Sequence, residues 1–176
     1  MSDPAMRLRG SAYSDDTGEP DPGLARALTA YAADDSEYAA ALAALCASRL
    51  LVPVVAVLGE VEHDEAGLAH DKSSDMATVL LTGADGRLAL LAFTGTGPMS
   101  AWNPEARPVA VPASVAARSA VQEGAAALLV DLVGPVTLVV EGDDLVRLAT
   151  GAVLGRAGER WAWIGPPGES SDSIQR

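Results

Sequence analysis

The sequence predicts a single domain of the α/β (α+β) class, in which helices pack on a mixed β-sheet of about five or six strands. Three observations lead to this class. Apolar residues recur at helical spacing near the N-terminus, continuous apolar runs suited to buried strands follow, and later helices and strands interleave without strict βαβ alternation. With 176 residues, 49% of them apolar, the chain can bury the core of one domain.

Two helices are predicted ahead of the first strand. Asp21-Pro22 offers a cap followed by proline at the first helical position. Asp34 and Glu37 resemble a capping box that starts the second helix, which runs to about Ser48. The apolar residues at helical spacing are Leu24, Leu28 and Tyr31 in the first helix, and Tyr38, Leu42, Leu45 and Cys46 in the second.

A strand covered on both faces is predicted next. The run "RLLVPVVAVLG", residues 49–59, is continuously apolar, as in a strand with layers packed on each side. Pro53 cannot donate a ladder hydrogen bond, which predicts a bulge or a free edge at that residue. The polar residues 60–74 are predicted to form a long loop.

A β-hairpin follows this loop. Residues 78–81 and 88–93 are apolar, and the glycines and aspartate of "GADG" between them favour a tight reversal. A short helical turn is predicted around residues 99–102, and a short strand at 109–111.

The last third of the chain predicts two more helices and three strands. Ser114 is a possible cap for a helix that ends at Gly124, and Asp143 is the predicted cap of a helix that ends at Gly151. The predicted strands are residues 127–131, residues 136–140, and a short edge strand that contains Trp161 and Trp163.

Composition narrows the range of partners. Acidic residues outnumber basic ones by 24 to 12, and the resulting net charge of −12 repels phosphate backbones and anionic lipid head groups. We therefore expect no nucleic-acid partner and no membrane association. One cysteine, together with the lack of a signal-peptide pattern or a bilayer-length apolar run, favours the cytoplasm.

Lys72 is the only lysine of the chain. A phosphate-binding loop needs glycine directly before the lysine, where this chain has Asp71. A nucleophilic lysine needs a lowered pKa, whereas Asp71 and Asp75 favour the charged form. His63 and His70 lack the spacing of a zinc site. We therefore expect no catalytic residue, cofactor or metal, and we interpret Lys72 as an ion-pair or partner contact.

An ordered series of segments between about residues 51 and 151 carries a family resemblance: "LLVPVVA", "DKSSDMATVLL", "GRLALLAFT", "WNPEARPV", "EGAAALLVD" and "GP". In this order the chain resembles the SseB N-terminal-domain family, named for the enhanced serine sensitivity protein, and its actinobacterial members above all. The resemblance implies a small cytoplasmic α/β domain with no established enzymatic activity, cofactor or catalytic residues. The positions that match the family's recurrent pattern are Asp71, Lys72, Asp75, Met76, Phe93, Thr94, Trp102, Pro104, Arg107 and Pro108.

Three regions are predicted along the chain. Residues 1–22 form an acidic, disordered tail, residues 23–151 form the SseB N-terminal-like domain, and residues 152–176 form a partly disordered C-terminal extension. The chain departs from the family pattern at "TGTGPMSAW", where a longer polar helix is expected before the tryptophan.

Two functions from different classes remain open. The first is a non-enzymatic interaction or regulatory module with an unidentified protein partner. The second is a small-molecule binding protein or weak enzyme that acts on an amino acid or a derivative. A homodimer formed through an edge strand is compatible with both. The candidate partner or ligand residues are Asp71, Lys72, Asp75, Trp102 and Arg107, although burial in the core is the usual position for a large aromatic such as Trp102.

Overall fold

A computed structural model of the chain describes Tyr13 and residues 15–57 and 75–165. The helices in these residues are α1 (Pro22–Ala33), α2 (Tyr38–Cys46), α3 (Thr96–Trp102), α4 (Ala113–Gln122) and α5 (Gly142–Ala149), with a 3₁₀ turn at Asp35–Glu37. The strands in the same residues are β1 (Arg49–Val57), β2 (Asp75–Thr78), β3 (Leu80–Thr82), β4 (Leu88–Ala92), β5 (Arg107–Pro112), β6 (Ala127–Val130), β7 (Leu138–Glu141), β8 (Val153–Ala157) and β9 (Arg160–Ile164). None of these helices is long and apolar enough to cross a bilayer.

The described strands form three sheets, in the orders β2-β1-β5, β3-β4-β6-β7 and β8-β9. All neighbouring strands are antiparallel except β4 and β6, which run parallel. Short helices and a mixed sheet therefore coexist, and the predicted α+β class is confirmed.

The three-stranded and four-stranded sheets are joined at two points. Leu51 and Phe93 exchange both main-chain hydrogen bonds, each 2.8 Å long. Val79 lies between β2 and β3, and its carbonyl accepts a hydrogen bond from Leu91 N–H. The first strand of the predicted hairpin is therefore divided at Val79: β2 pairs with β1, and β3 pairs with β4.

Pro53 lies within the central strand β1, and its continuous pairing with β5 excludes the predicted bulge. Only the other side of β1 is unpaired at this residue. Alternate residues of a strand direct their N–H groups to the same side. Leu51 N–H points toward Phe93, so the missing donor of Pro53 faces the same side. On that side, β1 pairs with Phe93 at Leu51, and its pairing with β2 begins only at Val54, which lies opposite Thr78. The proline is tolerated because β1 changes partner at this position.

Helix starts follow local chemistry in some places and chain connectivity in others. Asp21 caps α1 as predicted, since its carboxylate accepts from Leu24 N–H at 2.9 Å. Asp34 instead caps the 3₁₀ turn, through Ser36 N–H. Ser114 and Asp143 are not caps, because α4 and α5 begin directly after β5 and β7 and both residues already lie in the first helical turn.

Two hydrophobic clusters occupy opposite faces of the four-stranded sheet. The larger lies between the helices and one face, and it includes Leu42, Leu45, Leu90, Leu128 and Val140. The smaller lies on the other face, and its buried members are Leu51, Leu91, Phe93, Met99 and Ala106. Odd-numbered and even-numbered residues of β4 therefore serve different clusters, as the alternation of a strand requires.

The β8–β9 hairpin is joined to the helical layer by one carboxylate. Asp144 accepts hydrogen bonds from the Tyr38 hydroxyl and from Trp163 Nε1, both at 3.2 Å. Burial, and then the Asp144 charge, raise the pKa of Tyr38, so its hydroxyl remains a donor. The sequence predicts a strand at Trp161 and Trp163, but it does not reveal β8, in which Gly155-Arg156 interrupts the apolar pattern.

We expect Asp144→Ala to lower the free energy of unfolding by about 1–2 kcal/mol more than Asp143→Ala, because only Asp144 holds Tyr38 and Trp163. Both residues lie in the first turn of α5, so the loss of a helix-dipole interaction affects both variants. Urea denaturation followed by circular dichroism measures the difference. Equal losses in the two variants would show that these hydrogen bonds do not stabilise the fold.

Candidate interaction site

Two of the sequence-predicted candidates, Asp71 and Lys72, lie outside the described residues, and their roles stay predictions. Asp75 is the first residue of β2 and lies opposite Val57. Arg107 is the first residue of β5, exposed, and opposite Val54. Since β1 separates β2 from β5, strand spacings place the Cα atoms of Asp75 and Arg107 on the order of 14 Å apart. The sheet therefore keeps the main chains of these two residues apart.

Trp102 ends α3 and is half-buried. Its ring packs on the buried ring of Phe93, with 5.7 Å between centroids and 35° between the planes. Trp102 thereby packs against the smaller cluster, as does Ala110 of β5. Most of the Trp102 side chain is buried, which agrees with the alternative interpretation that this residue belongs to the core.

A groove on the four-stranded sheet lies beside this cluster, and no pattern in the sequence predicts it. It encloses about 360 Å³. Its apolar floor, which we call the groove floor, consists of Leu81, Ala89, Leu129, Leu132 and Val139. Helices cover the opposite face of the same strands, whereas Leu132 and Val139 remain 38% and 40% exposed. The sheet therefore has one face that the described residues cover only in part.

The groove floor is continuous with the smaller cluster at one end. Leu81 and Leu129 pack against that cluster and also line the groove. The apolar surface therefore extends from the Phe93 cluster across the sheet, and a bound group would contact side chains that the core already holds in place.

The other end of the groove is charged. Arg87 donates to Glu141 at 2.9 Å and lies 3.9 Å from Asp85. All three side chains are more than half exposed, so these ion pairs contribute little to stability. Two carboxylates flank a single guanidinium, which leaves this end with a net negative charge.

A buried carboxylate fixes the turn that carries Leu132. Asp131 follows β6, is only 3% exposed, and accepts from Thr94 N–H at 2.9 Å and from Thr94 Oγ1 at 2.7 Å. Its φ is +57°, a left-handed conformation that aspartate tolerates better than most residues. Its carbonyl accepts from Gly134 N–H and Thr137 Oγ1. These bonds hold the 131–134 turn, so Leu132 projects from a rigid support.

Thr94 is held from its other side by Arg49. The Arg49 guanidinium donates to the Thr94 carbonyl, and it also binds the Asp16 carboxylate and the Glu19 carbonyl. The hydrogen bond from Arg49 holds the pKa of Asp16 below its ordinary value, so that carboxylate stays charged. Residues 16–19, part of the predicted tail, contact the sheet through these bonds, and a chain of interactions links them to the Asp131 turn.

The groove lining offers a short list of reactive groups. Thr82 supplies a hydroxyl, Asp85 and Glu141 supply carboxylates, and Arg87 supplies a guanidinium. Within residues 15–57 and 75–165, no three His, Cys, Asp or Glu side chains come together as metal ligands would. Burial raises the pKa of Cys46, which favours the unreactive thiol. The arrangement is suited to binding through apolar contact and charge.

We expect Asp131→Asn to change the pH dependence of stability. Burial raises the pKa of Asp131 above its ordinary value of 3.8, so the charged form disfavours the fold. The stability contributed by Asp131 is fully present below pH 3.8 and falls as the pH rises through the raised pKa. Asparagine keeps an acceptor for Thr94 N–H, its amide nitrogen can donate to Thr94 Oγ1, and it carries no charge. The free energy of unfolding of the variant, relative to that of the wild type, should therefore increase as the pH rises from acid to neutral.

Asp131→Ala provides the contrast, because it leaves Thr94 N–H and Oγ1 buried without an acceptor. We expect a loss of about 2–4 kcal/mol at neutral pH. Urea denaturation of the wild type and both variants at several pH values measures both effects. Parallel stability profiles for the wild type and Asp131→Asn would contradict the assignment of a charged, destabilising Asp131.

Comparison with known proteins agrees with this fold. The chain matches the family model described as the SseB protein N-terminal domain over residues 24–146, from the first turn of α1 into α5. Searches of curated proteins and of solved structures found no match. The match covers more than half of the chain and includes the strands that form the groove, and the chain therefore belongs to the SseB family.

Proposed function

We propose that this chain is a non-enzymatic interaction or regulatory module of the cytoplasm, which binds a segment of a partner protein in its groove. The observation that carries the proposal is the partly uncovered apolar face of the four-stranded sheet, where Leu132 and Val139 stay exposed beside buried neighbours. Exposed apolar surface with a polar rim is typical of binding sites.

The partner segment is expected to be apolar with a basic residue at one end. Apolar side chains fit the groove floor, and a lysine or arginine fits the end that holds Asp85 and Glu141. The net charge of −12 favours the approach of a basic partner, most strongly at low ionic strength.

The chemistry of the groove supports binding over catalysis. Its hydroxyl, Thr82, is exposed at the end of β3. The pKa of Asp131 is raised by burial inside the fold, where the carboxylate binds Thr94. Catalytic sites usually place a shifted pKa next to the substrate. Asp131 instead supports the turn beneath Leu132.

Leu132→Glu should strongly weaken partner binding, because a charge on the groove floor would lose its hydration when the partner docks. Val146→Glu is the matched control, since Val146 is exposed on α5 (53%) and does not line the groove. Proteins recovered from native lysate on wild-type bait are identified by mass spectrometry and then purified. Calorimetry measures their affinity for the wild type and both variants.

The expected result is binding to the wild type and to Val146→Glu, with roughly a hundredfold loss for a correctly folded Leu132→Glu. A partner that binds Leu132→Glu as tightly as the wild type would place the interaction elsewhere and overturn the proposal.

The size of the groove favours one alternative function, binding of an amino acid or a derivative. A volume of about 360 Å³ lies within the range of small-molecule sites. Arg87 offers a contact for a ligand carboxylate, while Glu141 and Asp85 offer contacts for an ammonium group. The groove is open along the sheet, however, which suits an extended chain better than an enclosed metabolite.

A thermal-shift panel of amino acids and 2-oxo acids distinguishes the two functions. The interaction module predicts no shift in Tm. A true ligand at a hundred times its Kd would stabilise the chain by about 2.7 kcal/mol, which raises Tm by several degrees. A shift that disappears in Arg87→Ala would establish the small-molecule alternative.

A further inference from the structure

The groove borders a free strand edge. β7 is the outer strand of the four-stranded sheet, and in the part of the chain that the structure describes no strand pairs with its outer side. Val139 and Glu141 of β7 both line the groove, and they alternate with the buried Leu138 and Val140. A strand added to this edge would lie directly beside the groove floor.

The register shows which main-chain groups face outward. Asp131 N–H donates to Ala92 in β4, so the preceding residue, Val130, directs its N–H and C=O toward β7. Val130 lies opposite Leu138, whose main-chain groups therefore face β6. Because these directions alternate along a strand, the N–H and C=O of Val139 point away from β6, toward the open side of β7. They are positioned for one more antiparallel or parallel neighbour.

The β5 edge of the three-stranded sheet, in contrast, is blocked by proline. Leu51 N–H points away from β5, so the residue pairs on either side of Leu51 carry the hydrogen bonds between β1 and β5. The outward positions of β5 are therefore residues 108, 110 and 112. Pro108 and Pro112 occupy two of them, and proline cannot donate to an added strand. β7 contains no proline, so its edge keeps the donors that β5 has lost.

We propose that an extended segment of the partner protein adds to the outer edge of β7 as a further strand, with an apolar side chain opposite Val139 and a basic side chain two residues away, opposite Glu141. This binding mode rests on the proposed function. Cross-strand neighbours on one face interact directly, so Val139 selects an apolar residue and Glu141 selects a cation.

Charge makes a second copy of this chain a poorer occupant of the edge than a basic segment. Each copy carries a net charge of −12, and the added strand would bring the two together along their length. Arg87 already contacts Glu141 but is shared with Asp85, so an incoming lysine would meet two carboxylates and one guanidinium.

The probe is a short synthetic peptide with blocked ends, in which valine and lysine lie two residues apart among threonines. Three control peptides separate the contributions. One carries N-methyl groups on the backbone nitrogens of alternate residues that face β7, one has glutamate for lysine, and one has valine and lysine adjacent, hence on opposite faces. NMR titration of the full chain measures each Kd.

Two variants of the chain test the edge itself. Val139→Pro removes the outward N–H without touching the hydrogen bonds between β6 and β7, because proline is compatible with that edge position. Val139→Thr is the matched control, since it keeps the N–H and the shape of the side chain. We expect roughly tenfold weaker binding of the probe to Val139→Pro, against a smaller loss for Val139→Thr.

We also expect the N-methylated and the glutamate peptides to bind the wild-type chain roughly tenfold more weakly than the probe, which tests the mode even if Val139→Pro fails to fold. Equal affinity of the N-methylated peptide, or no binding of the probe, would overturn strand addition. Loss of the natural partner in Leu132→Glu would still support the proposed function in that case. Self-association of the wild type that Val139→Pro abolishes would make a second copy the occupant and overturn the proposal.

Discussion

The parallel pairing of β4 with β6 is the constraint on which the rest of the structure depends. It aligns Leu90 with Leu128 and brings the ends of both strands together, so that Thr94 can donate to Asp131. The connection between the two strands carries α3, β5 and α4. α4 packs on one face of the sheet, while α3 and β5 reach only the Phe93 end of the other. The groove is the part of that second face which this connection leaves uncovered.

Features that depend on neighbouring residues could be predicted from the sequence. Asp21-Pro22 determines the start of α1, and the "GADG" turn determines the pairing of β3 with β4, because both result from local hydrogen bonding and backbone preference. The buried character of β1 followed from its continuous apolar run. The α+β class followed from the sum of these local signals.

Features that depend on distant partners could not be predicted. Pro53 alone predicts an edge strand. Only the pairing of Leu51 with Phe93 shows that β1 is central and unpaired on one side at the proline. Asp131 reads as the end of a strand, since nothing local identifies Thr94 as its donor. The candidate site shows the same limit: Trp102 was identified by its type, whereas Leu132 and Val139 look like ordinary core residues until the sheet order shows which face lacks a cover.

The same long-range contacts make the groove a rigid surface in a strongly acidic chain. Arg49 holds Thr94, Thr94 holds Asp131, and the Asp131 turn positions Leu132 beside β7. Salt screens the net charge over distances beyond about 8 Å, and the repulsion between two copies weakens accordingly. Asp85 and Glu141, in contrast, act on a bound segment at contact distance. Long-range charge therefore affects the rate of encounter, and the groove floor with its acidic end determines which segment stays bound. Because the surface is already formed, binding orders few side chains of this chain, and the entropy lost falls mainly on the partner.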